Sequence, residues 1–268
     1  MVTVAATPAA RAAAKARAVS VITAGHRPAQ PTLGAPSGAK GGHQPKRTNL
    51  YMHKRSSQLP EIRINFSMLL YRGECRRLDL ILNNGQSQIA SPDQYRKKAA
   101  QYREAWAKYE TTLLQGMTEA LGVSFYRPVI DVTLAPYFGH KSTPLIINFR
   151  PEPDRFVDIL THELLHILQT DNNKHQSNGP QATLDLMGEW GKLFGEHERT
   201  TLVHIPLHAL HKYLYLDVLE APERLKRDIE AVRKSETGGA YTKAWDYVNE
   251  HDYVEIVNEL RNIYIEDY

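Results

Sequence analysis

The chain has 268 residues, with 33 Lys/Arg, 30 Asp/Glu, 12 His and a single cysteine. That length fills one sizeable domain or two small ones, and the lone Cys75 excludes an intramolecular disulfide framework and any cysteine-built zinc site. No apolar run approaches the roughly 20 residues that a bilayer span needs.

The formal charge of +3 describes neither half of the chain. Residues 1–60 carry nine Lys/Arg and no acid, leaving 24 basic and 30 acidic residues, a net charge of −6, for the rest. Residues 1–48 are rich in Ala, Pro, Gly and Thr, the composition of a disordered basic extension. An acid-free organellar transit-like peptide and a weak polyanion-binding arm are the alternatives for this tail. The apolar stretch Ala18–Ala24 is too short and too polar for a secretory signal, so the expected compartment is the cytoplasm, with the transit-like reading left open. The acidic remainder argues against nucleic acid as a partner of the domain itself.

Folded structure is expected over 59–268 as a single domain. Ile62 to Phe66 alternates as a strand does, and Leu78–Leu82 is a second short apolar run, closed by the turn signal Asn83-Asn84-Gly85. Ser91-Pro92-Asp93 combines an N-cap, a proline at the first helical position and an acid in the first turn. One helix is predicted from there to Leu121, with Tyr95, Ala99, Tyr102, Trp106, Tyr109, Leu113 and Met117 on its core stripe and Gly122 closing it. Two strands follow, Val129–Leu134 and Leu145–Asn148, joined by a loop that holds His140 and Lys141. A strand edge beside the next helix is a natural place for an extended peptide to pair.

That next helix carries Thr161-His162-Glu163-Leu164-Leu165-His166, an H-E-x-x-H signature. Asp154 is the expected cap, and Arg155 to Thr170 the helix, with Phe156, Ile159, Leu160, Leu164, Ile167 and Leu168 facing the core. His162 and His166 leave the same side one turn apart, which suits two of the three protein ligands of a catalytic zinc. Glu163, rotated by about 100°, cannot easily reach the metal, but it can take a proton from a water there.

A polar stretch with a short amphipathic helix, Gln181–Phe194, leads to a second histidine cluster. His204, His208, His211 and Tyr215 share one helical face and Leu207, Leu210, Leu214 and Val218 the other, on a helix that Pro206 helps initiate and Glu220 ends. The third zinc ligand is sought here: His204 or His208, with Glu189 and the pair Glu196-His197 as competitors. On a helix begun near Pro206, His204 stands at the start, where a side chain can swing toward a metal, and His208 a full turn deeper. Beyond Pro222, Glu223–Arg233 reads as a charged helix, Gly238-Gly239 as a break and Tyr241–Tyr264 as helical again.

With these residues in view, the chain resembles the zincins, the H-E-x-x-H metallopeptidases, over about residues 125–220. It departs from the gluzincin pattern, in which the later helix supplies a Glu, because His204 and His208 stand there instead. It also lacks the metzincin extension, since Leu168-Gln169-Thr170-Asp171 follows His166. The block from His204 to Trp245 is similar to small prokaryotic H-E-x-x-H proteins. The resemblance implies a zincin-like α+β fold, mainly helical, with a small mixed or antiparallel sheet before the H-E-x-x-H helix. It implies a Zn2+-dependent peptidase acting on a peptide or protein substrate. The same resemblance implies His204 as the third ligand, one turn before its polar partner, with His208 in a supporting or oxyanion-stabilising place and Glu163 and His208 as the catalytic pair. Two other readings stand beside it: a metal-binding scaffold or regulatory domain without catalysis, and an interaction protein whose basic tail docks on an acidic partner. An intact Glu163 favours catalysis, because a structural zinc needs no carboxylate at that step.

Overall fold

The computed structural model of the chain describes residues 58–82, 90–136, 138–235 and 239–265. The basic extension expected over 1–48, the turn signal at Asn83-Asn84-Gly85 and Gly238 of the expected break lie outside the described residues.

The architecture is α+β: mostly helical, with one four-stranded mixed sheet. Strand β1 (Glu61–Phe66) opens it, followed by helix α1 (Met68–Leu82). The short apolar run Leu78–Leu82 is therefore the end of a helix rather than a separate element. Helices α2 (Pro92–Ala107) and α3 (Glu110–Leu121) replace the single helix expected there. Ser91 forms the expected capping box with Gln94, and Gly122, at φ 67°, takes the left-handed conformation that closes α3 at no steric cost. The break falls at Lys108-Tyr109, where the Tyr109 ring lies under the Arg224 guanidinium at 4.5 Å. No proline or glycine marks it, so a long-range contact decides what local propensity does not.

Strands β2 (Val129–Ala135), β3 (Lys141–Ser142) and β4 (Leu145–Asn148) complete the sheet in the order β1-β2-β4-β3. The first three neighbours run parallel, with Ile64 opposite Val132 and Thr133 opposite Ile146; β3 pairs antiparallel to β4. Ile130, Val132, Leu134, Leu145 and Ile147 are buried, as strands inside a covered sheet require. The strand that leads into the H-E-x-x-H helix is thus not an edge: the two-residue β3, inside the expected loop, covers it.

Helix α4 (Pro153–Asp171) carries the H-E-x-x-H sequence. Its N-cap is Glu152, with no side-chain cap, and Pro153 takes the first position. Asp154 is not the cap, because Arg224 and Arg227 both donate to its carboxylate. The start of α4 is tied to α2 by Tyr102, whose ring stacks on Phe156 at 4.1 Å and whose hydroxyl donates to the Pro151 carbonyl at 2.7 Å.

Helix α5 (Pro180–Phe194) matches its expected range, and α6 (Arg199–Tyr213) is the histidine helix. Pro206 does not initiate α6; it sits in the middle, two turns beyond Arg199. An interior proline costs roughly 3 kcal/mol, and here it is tolerated because Thr201 to His211 are buried on every side. Both predicted faces are therefore inside, the histidines as well as the leucines. The helix ends in a π-turn, Leu214–Val218, instead of running to Glu220. Helix α3 approaches this turn so closely that a Cβ on Gly116 would lie 2.9 Å from Leu214 Cδ2. Helices α7 (Pro222–Lys234), α8 (Gly239–Glu250) and α9 (Tyr253–Ile265) follow, with a break at His251-Asp252 inside the helix expected over Tyr241–Tyr264. No described helix is long and apolar enough to cross a membrane.

Candidate metal centre

The i, i+4 spacing on α4 puts the His162 and His166 rings 4.9 Å apart, and α6 brings His204 within 5.4 Å of the first and 5.7 Å of the second, centroid to centroid. One ligand nitrogen from each of the three lies within 4.8 Å of the others. Ligands about 2.1 Å from one tetrahedral zinc stand roughly 3.4 Å apart, so small side-chain rotations close the set on an ion. Among the described residues this is the one group of three potential ligands so arranged.

The chemistry of the donors fits a metal. Burial pushes the His166 imidazole down to about 3 and His204 to about 4, and holds His162 well below its ordinary value, so all three rings are neutral and present a lone pair at pH 7. His204 Nδ1 lies 2.7 Å from the Thr200 carbonyl oxygen. A carbonyl only accepts, so Nδ1 carries the hydrogen and Nε2 is the free donor, the arrangement that fixes the tautomer of ligating histidines.

Glu163 is 6% exposed and lines a cavity of about 310 Å³ together with His162, His208, His211, Asp228 and Tyr241. Burial alone pushes its carboxyl up to about 8. His208 lines the same cavity; its ring stacks on Trp245 at 4.2 Å and its Nδ1 has no hydrogen-bond partner among the described residues. Its neighbour on the helix, His211, lies with its ring 5.3 Å from that of His162. Glu189 is not among the converging groups, and its carboxylate instead pairs with Lys174 and Lys192. His197, the other competitor, places Nε2 3.0 Å from the Phe194 carbonyl.

Sequence reasoning missed two parts of this centre. Tyr241, at the start of α8, packs its ring 4.1 Å from His204 and sits near enough to Glu163 that, after burial, the carboxylate charge also raises its phenol. An ion-pair network lies along the same helix: Asp158, one turn before His162, accepts from Arg224 at 2.7 Å and Arg227 at 2.6 Å, and Arg155 donates to Asp228 at 2.5 Å. The signal for the network was present as complementary spacing, Asp154 and Asp158 on α4 against Arg224 and Arg227 on α7, but nothing local pairs segments about 70 residues apart. For Tyr241 there was no signal beyond its residue type. Compared with known proteins, the chain matches no family model, no curated protein and no solved structure.

Proposed function

We propose that the chain is a zinc-dependent hydrolase of peptide bonds, built on a zincin-like arrangement of sheet, H-E-x-x-H helix and later histidine helix. The observation that carries the reading is the convergence of His162, His166 and His204 on one point, with a buried glutamic acid facing an adjoining cavity. Three neutral imidazoles and an open fourth position are the donor set of catalytic rather than structural zinc. Held there, zinc supplies Lewis acidity toward a carbonyl and makes a water acidic enough to attack at neutral pH.

The rest is the work of the chain's own side chains. His204 is kept in its ligating tautomer by the Thr200 carbonyl. The Glu163 carboxylate accepts the proton of the attacking water and returns it to the leaving amine. Burial pushes that carboxyl up to about 8 in the metal-free chain, which favours the acid at pH 7; a cation held by the three histidines would favour the carboxylate that the shuttle needs. Tyr241 O–H and His208 face the same cavity and are placed to donate to the oxyanion that forms on the substrate. The cavity, about 310 Å³, is what favours catalysis over a scaffold role, since a purely structural metal needs no space beside its glutamate.

Digestion of a peptide library by the purified chain tests this reading. Cleavage is expected from the zinc-loaded protein and is expected to fall 100-fold or more, on the order of a general base's contribution, in Glu163→Gln at unchanged zinc content. Equal cleavage by the two proteins would remove Glu163 from its role.

A further inference from the structure

A second cavity, about 480 Å³, lies against the other histidine of the H-E-x-x-H pair, His166. The first is lined by His162 and Glu163 but not His166; the second is lined by His166 but not the other two. The chain through β3 passes both, because His140 walls the first and Lys141, Ser142 and Thr143 wall the second. β3 is the outermost strand of the sheet next to β4 and packs against α4, and its outer edge has no strand partner among the described residues. An open strand edge offers a peptide backbone its hydrogen-bonding groups, and the chain through this one lines both cavities.

The charge of the second cavity sets it apart. Three cations line it, Arg127, Lys141 and Arg199, with one acid, Asp171. Arg127 is matched by Asp171 at 2.8 Å. Lys141 and Arg199 are exposed and have no ion-pair partner among the described residues, and Glu198 beside Arg199 accepts from Thr201 instead. Gly179 and Pro180, which also line the cavity, begin a 15-residue helix with no side-chain cap and no acid in its first turn, so its positive end adds to the two cations. This positive groove lies in a region whose net charge over residues 61–268 is −6.

We propose that this groove is an acidic subsite: it takes a carboxylate of a peptide lying along β3, either a Glu or Asp side chain or a free C-terminus. What happens to that peptide at the metal rests on the hydrolase reading, but the charge preference rests on the groove alone. The substrate class that follows is acidic peptides.

The test uses the full chain carrying Glu163→Gln, so that nothing is cleaved, and fluorescence anisotropy with labelled hexapeptides. An alanine-based hexapeptide with one internal Glu is compared with its Gln counterpart, each ending in a free acid or an amide. Two surface charge contacts are worth roughly tenfold together at low salt. About tenfold tighter binding is therefore expected for the Glu peptide, which assigns a side-chain carboxylate, or for the free acid over the amide, which assigns a terminal one. Adding Lys141→Glu and Arg199→Glu should bring the preference within twofold. Lys141→Gln with Arg199→Gln, which adds no charge, should move it in the same direction by less. The basic stretch 1–60 is common to all these proteins, so it cannot produce a difference between the variants, and a preference that it caused would survive both double variants. Equal binding of all four peptides, or a preference that survives both double variants, overturns the proposal. Zinc is counted on the same samples. A zinc-bearing protein without acid preference refutes the subsite alone; a preference in a protein that holds no zinc supports the subsite and refutes the metal reading alone.

Discussion

Asp158 and His162 stand one turn apart on α4, yet the polar groups around them are organised in opposite ways. Around Asp158 the charges are matched: Arg224 and Arg227 each donate to a different carboxylate oxygen, both also hold Asp154, and Arg155 holds Asp228. Around His162 they are not. His208 Nδ1 and both nitrogens of His211 have no hydrogen-bond partner among the described residues, although His211 Nδ1 stands 3.7 Å from Asp228 Oδ2. One nitrogen each of His162, His166 and His204 lies within 4.8 Å of the others. Buried polar groups are nearly always hydrogen-bonded, and each one left unpaired costs about 1–3 kcal/mol. One helix carries both, the ion pairs on its first two turns and two of the three converging histidines on its third and fourth.

The largest effect that would break this comparison is on stability. Asp158→Ala leaves the buried Arg224 without its inner carboxylate, and removing one partner of a buried ion pair costs about 3–5 kcal/mol. Urea unfolding of the metal-free protein measures it. His208→Ala, one cluster away, should instead leave zinc bound and lower turnover 10–100-fold, the usual effect of losing a group that supports a metal site. If Asp158→Ala were as stable as the parent while His208→Ala unfolded, the two clusters would have exchanged roles.

A smaller effect sharpens the difference by pH. The ordinary imidazole value is about 6.5, whereas burial puts His204 at about 4 and His166 at about 3. Below pH 6.5 the unfolded chain therefore binds protons that the folded rings refuse. The stability of the metal-free protein is full above that pH and falls steadily as pH drops toward 4. Glu163, raised to about 8, acts in the opposite sense and cancels about one histidine. His162, His208 and His211, also lowered by burial, act with the other two and keep the net change a fall. Urea midpoints between pH 7 and 4.5 should show the fall, and a variant lacking His166 and His204 should show a shallower one. Identical profiles would mean that the rings are not held neutral by the fold.

The histidine cluster was legible in the sequence and the ion-pair cluster was not, for a physical reason. His162 and His166 announce themselves because i, i+4 spacing is a local property of a helix, and His204 and His208 do the same on α6. The sequence already favours His204 over His208 as the ligand; in the structure the Thr200 carbonyl orients the His204 ring and Trp245 stacks on the His208 ring. The Asp/Arg network is non-local, so Asp154 looked like a cap, the role its position alone suggests. Helix α6 was misread at its start because a proline usually opens a helix, and a helix buried on all sides shows no polar face to contradict that. The break before Tyr109 and the two-residue β3 are set by contacts with Arg224 and with β4, which no propensity contains.

Zinc content of the purified full chain is the most direct test of the central claim, that His162, His166 and His204 hold a metal which Glu163 does not touch. The account predicts one zinc per chain, retained in Glu163→Gln. It predicts loss of the metal when His162 and His166 are both replaced by Ala, and an empty site at micromolar free zinc in His204→Ala. A wild-type chain without metal after zinc loading, or stoichiometric zinc in the double-alanine variant, would contradict it.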